Sequence, residues 1–456
     1  MGLFLYTSFI FIPKKLASPL KRPNFVLTIG VTNDTRFQYM IIQRPHYLQK
    51  LIDCRHNGMI KIITGIRRCG KSYLLFQLFS SWLKEQGVSE DHIIKIDLEN
   101  RRNKALRDPD ALLAHIDSLV KGDSMHYVMI DEVQLVNEFE DVLNSYLKVP
   151  NVDVYATGSN AKFLSKDVIT TFRGRSFEIK VHPLSFREYF SVYKGSQENA
   201  LDAYMTYGGM PQIMEFNNDE LKSDYLKNLY TETYLRDIKE RYQIKNDEEL
   251  ENLLDFISSA IGSLTNPTKL ANTFTTAKKE KISRNTVCSY LEYICESFLA
   301  EKASRYDVKG KKYLETPYKY YFTDLGLRNA RLNFRQLEPS HMMENIIYNE
   351  LRIRGFNVDV GVVPIVKRNA EGKQERVRLE IDFVCNKGSR KYYIQSAYQM
   401  LDEDKIRQEE ASLRNVDDSF KKIIIVGSDI IIRRNEAGIT TMGIFDFLLK
   451  ENSLEL

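Results

Sequence analysis

The chain is poor in the residues that would build a covalent or metal-bound framework. It has five cysteines, Cys54, Cys69, Cys288, Cys295 and Cys385, with no CxxC pair, and its seven histidines form no cluster at metal-ligand spacing. That pattern argues against a disulfide scaffold and a structural zinc, and it points to reduced thiols in a cytoplasmic protein. An excess of charge of one sign is also missing, because 65 Lys and Arg stand against 61 Asp and Glu. Any nucleic-acid contact must therefore come from a local basic patch. No apolar run approaches the roughly 20 residues of a membrane-spanning helix, and there are no internal repeats or low-complexity tracts. Residues 3–12 are mostly apolar, but no basic region precedes them and no small-residue cleavage site follows. Residues 1–39 are expected to form a poorly ordered extension, with a membrane-surface anchor as the alternative, and Met40 to open the folded protein.

What is present suits a globular chain: 456 residues, 43% hydrophobic and 28% charged, enough for about two to four domains. Up to about residue 183, short apolar runs alternate with amphipathic segments. The runs are IKIIT (60–64), HIIKIDL (92–98), YVMIDE (127–132) and VDVYATG (152–158); the helix-like segments between them include 72–86 and 111–120. This alternation predicts a parallel sheet covered on both faces. Residues 199–245 read as helical, with a break at Tyr207–Pro211, and 247–335 as three short helices and a basic hairpin. The segment 340–450 opens with a helix, followed by strands at 376–385, 391–397 and 421–426.

The stretch Gly65, Ile66, Arg67, Arg68, Cys69, Gly70, Lys71, Ser72 fits GxxxxGK[ST] between a buried strand and a helix that begins near Tyr73. Glycines at these positions let successive amides turn inward around a phosphate at a helix N-terminus. Lys71 is then placed for the β- and γ-phosphates of ATP and Ser72 for Mg2+. The run YVMIDE ends in Asp131, a second Mg2+ ligand, and Glu132, a general base for the attacking water. At the end of the next strand, Ser159 or Asn160 is a candidate sensor of the γ-phosphate; capping of the following helix is the alternative. Arg173 and Arg175 in FRGR are candidate arginine fingers, acting within the chain or in a neighbouring subunit.

Together, ITGIRRCGKS, YVMIDEVQ, YATGSNAKFLS, FRGR, HPLSFREYF and YGGMP resemble a widespread group of prokaryotic AAA-type ATPases in which an ATPase domain precedes a C-terminal domain of unknown function. The resemblance covers most of the chain from Met40. It implies an α/β fold of the P-loop additional-strand type, with the lysine strand central and the carboxylate strand separated from it by another. It also implies that Arg44 lies near the adenine, the alternative being a surface arginine.

Downstream, NPTKLANTF and ISRNTVCSYLEYICESFLAEKA have the pattern of a helix-turn-helix, and the resemblance supports a winged helix. Ile282, Val287, Tyr290, Leu291, Ile294 and Phe298 form its apolar side, while Ser283, Arg284 and Asn285 are placed to present side chains to a groove. A hairpin follows, with its turn at Gly310 and with Lys309, Lys311 and Lys312 as a wing for phosphates; Tyr313, Tyr318, Tyr320, Tyr321 and Phe322 read as core. Residues 266–312 would contact double-stranded DNA or a protein partner. In the tail, Glu344, Asp382 and the strand KYYIQSAY are similar to a restriction-endonuclease-like fold. The metal-binding triplet of that fold is replaced here by Gln395, Ser396 and Ala397, so nuclease activity is not expected, and Glu380 is either a compensating acid or a partner of Arg378. The expected layout is thus 1–39 extension, 40–195 ATPase, 196–246 helical lid, 247–335 winged helix and 336–456 endonuclease-like, in an ATPase that forms homo-oligomers if an arginine acts across subunits.

Overall fold

Four apolar runs and one mixed run become the strands of the first sheet in a computed structural model, which describes residues 40–158, 172, 174–278, 282–368, 372–400 and 402–456. Helix α1 (Pro45–Asp53) begins with a proline at its first turn, where no amide partner is needed. Then follow β1 (Ile60–Thr64), α2 (helical from Lys71 to Glu85 through a π-type turn at Leu74–Phe79), β2 (Ile93–Asp97), α3 (Pro109–Leu119), β3 (His126–Asp131), α4 (Phe139–Ser145), β4 (Val152–Thr157) and β5 (Ser176–Lys180). The order is β2-β3-β4-β1-β5 and every pairing is parallel. The loop strand β1 is interior and β4 lies between it and the carboxylate strand β3, as the resemblance implied. Ile62, Val128, Ile130, Val154, Leu112 and Ile116 share one core between sheet and helices.

The next helices are α5 (Phe186–Phe190), α6 (Gln197–Tyr207) and α7 (helical from Asp219 to Tyr242 through a π-type turn at Tyr230–Leu235). They are followed by α8 (Asp247–Ser259), α9 (Pro267–Lys278) and α10 (Arg284–Glu296). The break at YGGMP is a joint. The amide of Gly209 donates to Asp324 Oδ2 at 2.7 Å and that of Leu184 to the Gly209 carbonyl at 2.8 Å. A Cβ on Gly208 or Gly209 would strike the Asp324 carboxylate or the Leu184 carbonyl at 2.3–2.4 Å, so only glycine fits both positions.

The hairpin β6 (Ala300–Asp307) and β7 (Lys312–Phe322) departs from the expected free wing. Strand β6 pairs in parallel with β8 (Asn357–Arg368), so the hairpin forms one edge of an eight-stranded mixed sheet. Between them lie α11 (Leu325–Arg331) and α12 (Pro339–Ile353), and the sheet continues through β9 (Gln374–Lys387) and β10 (Arg390–Ala397), α13 (Glu403–Arg414), β11 (Lys421–Val426), β12 (Arg433–Arg434) and β13 (Ile439–Gly443), before α14 (Ile444–Leu449). The 335/336 boundary therefore does not separate two sheets. A parallel neighbour some 50 residues downstream is invisible to local patterning, and β8 was absent from the strands read in the tail. Tyr320, Tyr321 and Phe322 are buried as expected, whereas Tyr313 is 64% exposed, its hydroxyl 3.0 Å from Asp359. No described helix is long and apolar enough to cross a membrane.

Candidate nucleotide site

Because all five strands of the first sheet run the same way, Thr64, Asp131 and Thr157 gather at one edge, where α2 begins. The loop between Thr64 and Lys71 has Gly65 at φ 141°, Arg68 at φ 62° and Gly70 at φ 96°, positive-φ positions set among ordinary ones, an alternation that curves the backbone. A Cβ on Gly65 would meet the Val181 carbonyl oxygen at 2.1 Å. Among the described residues, the amides of Arg67, Arg68 and Gly70 donate to no protein acceptor.

Lys71 is buried and its Nζ donates to the carbonyls of Gly65 (3.0 Å) and Ile66 (3.2 Å). Ser72 Oγ donates to Asp131 Oδ1 at 3.0 Å, which brings the two expected Mg2+ ligands together across 59 residues of chain. Burial raises the Asp131 pKa against the opposing hydrogen bonds from Thr157 and Ser72. No described group of three or more His, Cys, Asp and Glu side chains is arranged to hold a metal. One hydroxyl and one carboxylate suit an ion that takes its remaining ligands from phosphates and water, the habit of Mg2+. Glu132 is 7% exposed, has φ 52°, and accepts a hydrogen bond from Gln134 Nε2.

Thr157 is the site residue that motif reading missed. Fully buried at the end of β4, its hydroxyl donates to Asp131 Oδ1 and accepts the Glu132 amide at 3.0 Å, so one side chain orients both acids. A polar residue closing an otherwise apolar strand was the available signal. The surface alternative for Arg44 is corrected. It is 1% exposed, so it is no surface arginine, and its guanidinium donates to Glu188, the Cys69 carbonyl (2.8 Å) and the His182 carbonyl (2.9 Å). With its donors so engaged, it braces the loop through the Cys69 carbonyl. On the outer side of the loop, the Tyr234 hydroxyl of α7 donates to the Arg67 carbonyl at 2.7 Å.

Arg175 is exposed and precedes β5, its carbonyl bonded to the Ile60 amide at the start of β1. The loop lies past the end of β1, about 16 Å away at 3.3 Å per residue, so Arg175 cannot reach its own chain's phosphates. Ser159, Asn160 and Arg173 lie outside the described residues.

A second acid set assembles in the C-terminal sheet. Lys319 of β7, 4% exposed, places its ammonium 2.9 Å from Glu344 of α12, 2.8 Å from Glu380 and 3.8 Å from Asp382. The Tyr321 hydroxyl adds a bond to Glu344 at 2.7 Å, and Asp382 accepts the Ser396 amide at 2.8 Å. Burial and the Glu344 carboxylate raise the Asp382 pKa. Glu380 thus pairs with Lys319, and Gln395 turns to Glu409 at 3.2 Å. Ser283, expected to face a groove, instead caps α10 by accepting the Thr286 amide at 3.0 Å, while Arg284 and Asn285 remain exposed.

Comparison with known proteins agrees with the geometry of the first site. A family model described as an AAA domain matches residues 57–190, and a domain of unknown function (DUF8612) matches residues 198–338. An uncharacterized protein of Haemophilus influenzae is 32% identical over 417 residues, covering 90% of this chain and 99% of its own. The chain belongs to one family with this Haemophilus protein and carries an AAA domain over residues 57–190. An uncharacterized protein of Methanocaldococcus jannaschii is also similar, 28% identical over 373 residues with 79% of each chain covered. Among solved structures, the Aeropyrum pernix ORC1 protein in complex with DNA aligns with a TM-score of 0.31 and 10% identity over 64% of this chain and 93% of that one. So slight a likeness extends no inference to DNA.

Proposed function

We propose that this AAA-domain chain hydrolyses ATP with Mg2+ and passes nucleotide state to its helical and C-terminal segments. The observation that carries the reading is the meeting of Lys71 and Ser72, from the loop after β1, with Asp131 and Glu132 at the end of β3, joined by Thr157. The loop amides from Gly65 to Tyr73 would cradle the phosphates, and Lys71 would leave its own carbonyls to contact the β- and γ-phosphates. Ser72 and Asp131 would hold Mg2+, which when bound neutralises phosphate charge. Glu132 would polarise the attacking water by accepting its proton. Ser159 or Asn160 would sense the γ-phosphate, and Arg173 or Arg175 would act from a neighbouring subunit, a homo-oligomeric arrangement. Arg44 and Tyr234 grip two loop carbonyls from different segments, which supports coupling between the site and the rest of the body.

The order α8, α9, α10, hairpin, with the bridge between Thr265 and Tyr318, supports a winged helix over 247–335. Residues 266–312 would contact double-stranded DNA or a protein partner. A cytoplasmic location belongs to the same reading. The internal Lys319 favours a tail without nuclease activity over an ATP-regulated nuclease.

The test is hydrolysis by the purified full chain. Saturable turnover that stops on Mg2+ chelation is expected; a chain that neither binds nor hydrolyses ATP sinks the reading. Single-turnover kinetics distinguish a slow nucleotide-gated switch, which stalls after one event per site, from a steadily cycling ATPase.

A further inference from the structure

The β8–β9 hairpin extends past the neighbouring β6–β7 turn, since Asp307 at the end of β6 is level with Val362 while β8 continues to Arg368. Alternation along β9 puts Arg376, Arg378 and Glu380 on one face, opposite Val366, Pro364 and Val362 of β8, and the pairing of Gln374 with Arg368 adds a fourth position to that face. Arg305 of β6 lies at the foot of this row, near enough to Arg378 and Glu380 to feel both charges. It is 8% exposed, yet its Nε has no hydrogen-bond partner.

Two contrasts make the row unusual. In the C-terminal segment the exposed Arg390, Arg407 and Arg414 are paired with Glu455, Glu403 and Glu410, whereas the exposed Arg368, Arg376 and Arg378, like Arg433 and Arg434 on the far edge strand, have no ion pair among the described residues. The acids below the row, Glu344, Glu380 and Asp382, would repel an anion, and the Lys319 ammonium, within 3.8 Å of each, offsets part of that charge from within. Same-face neighbours on a strand stand about 6.6–6.8 Å apart, a spacing that suits consecutive phosphates better than one carboxylate. Guanidinium also binds phosphate through paired donors.

We propose that Arg305, Arg376 and Arg378, continued by Arg368, form a binding surface for the sugar-phosphate backbone of a nucleic acid, separate from the nucleotide site and from the α10 helix. The surface reads charge and spacing and carries no base specificity. Its failure would leave the ATPase reading untouched, because none of these residues adjoins the loop of 65–72.

The experiment is fluorescence anisotropy of a labelled 30-base-pair DNA duplex, titrated with the full chain at several salt concentrations, beside the R376E/R378E double variant and a K309E/K311E/K312E hairpin-turn variant. Both arginines of the double variant are exposed, and matched melting temperatures and unchanged ATP turnover would establish that it folds. The expected result is salt-sensitive binding that weakens at least about tenfold in the double variant, with the salt slope reduced by about 2 for two lost phosphate contacts, and with excess polyglutamate competing poorly. Absent binding at low salt, undiminished binding by R376E/R378E, a loss confined to the hairpin-turn variant, or a preference for polyglutamate over duplex would each overturn the proposal.

Discussion

The molecule brings carboxylates together twice, and the two places treat them differently. At the edge of the first sheet, Asp131 accepts from the hydroxyls of Ser72 and Thr157 and Glu132 accepts from an amide of Gln134, while the nearby Lys71 spends its ammonium on loop carbonyls. In the second sheet, Glu344, Glu380 and Asp382 share the ammonium of Lys319. An acid held by hydroxyls, as Asp131 is, keeps affinity for an added cation, whereas an acid set around an internal cation has already used its own. The first arrangement suits a site that loads and releases a charged ligand, the second a fixed element of the fold.

The sharpest way to test that contrast is at the first site. Lys71→Ala should abolish ATP binding measured by titration calorimetry. Glu132→Gln should keep binding yet lower turnover by about 10²–10⁴-fold; equal losses of binding in both variants would mean that Glu132 is not a base. At the second site, Lys319→Met leaves the buried Asp382, the mostly buried Glu344 and the part-exposed Glu380 without their cation and should cost about 3 kcal/mol in urea unfolding. Added Mn2+ should restore part of that loss only in the variant, and an unchanged unfolding midpoint would dissolve the contrast.

Asp324 is a third case, a buried carboxyl held by the amides of Gly209 and Leu327 and with no ion pair among the described residues. Burial pushes its pKa from 3.8 to about 6 against those bonds. Between these values the native state retains a proton that the unfolded state has lost. Its contribution is therefore largest below about pH 4 and is lost as pH rises through about 6, by about 3 kcal/mol at most. Asp324→Asn should flatten the difference in unfolding free energy between pH 4.5 and 7; an unaltered slope would place the titration elsewhere. The smallest effect is expected for Thr157→Val, which removes one hydroxyl and should cost about 1–2 kcal/mol of stability along with about tenfold of turnover. Full activity in that variant would show that the acids need no such brace.

Much of the first sheet was legible because its strands are short apolar runs and its loop is defined by residue types that few other structures require at that spacing. Val128, Met129 and Ile130 followed by Asp131 announce a buried strand with a functional end. The C-terminal sheet was only partly readable. Strand β8 mixes Asp359, Gly361 and Pro364 with valines, and β6 carries Glu301, Lys302 and Arg305, so neither shows clean alternation. Both were decided by partners far along the chain. The surface alternative for Arg44 failed for a related reason, since nothing near it in sequence announces that Glu188 and the carbonyls of Cys69 and His182 will close around its guanidinium.

By itself the amino-acid sequence determined the chemistry available at the strand ends, because loop glycines, a lysine, a hydroxyl and an acid pair act through local backbone geometry and strand direction. Only the tertiary structure decided which charges meet. Lys319 reached three carboxylates, and Arg175 was carried to the wrong end of its own sheet, because parallel pairing sets position along a strand without regard to separation in the chain.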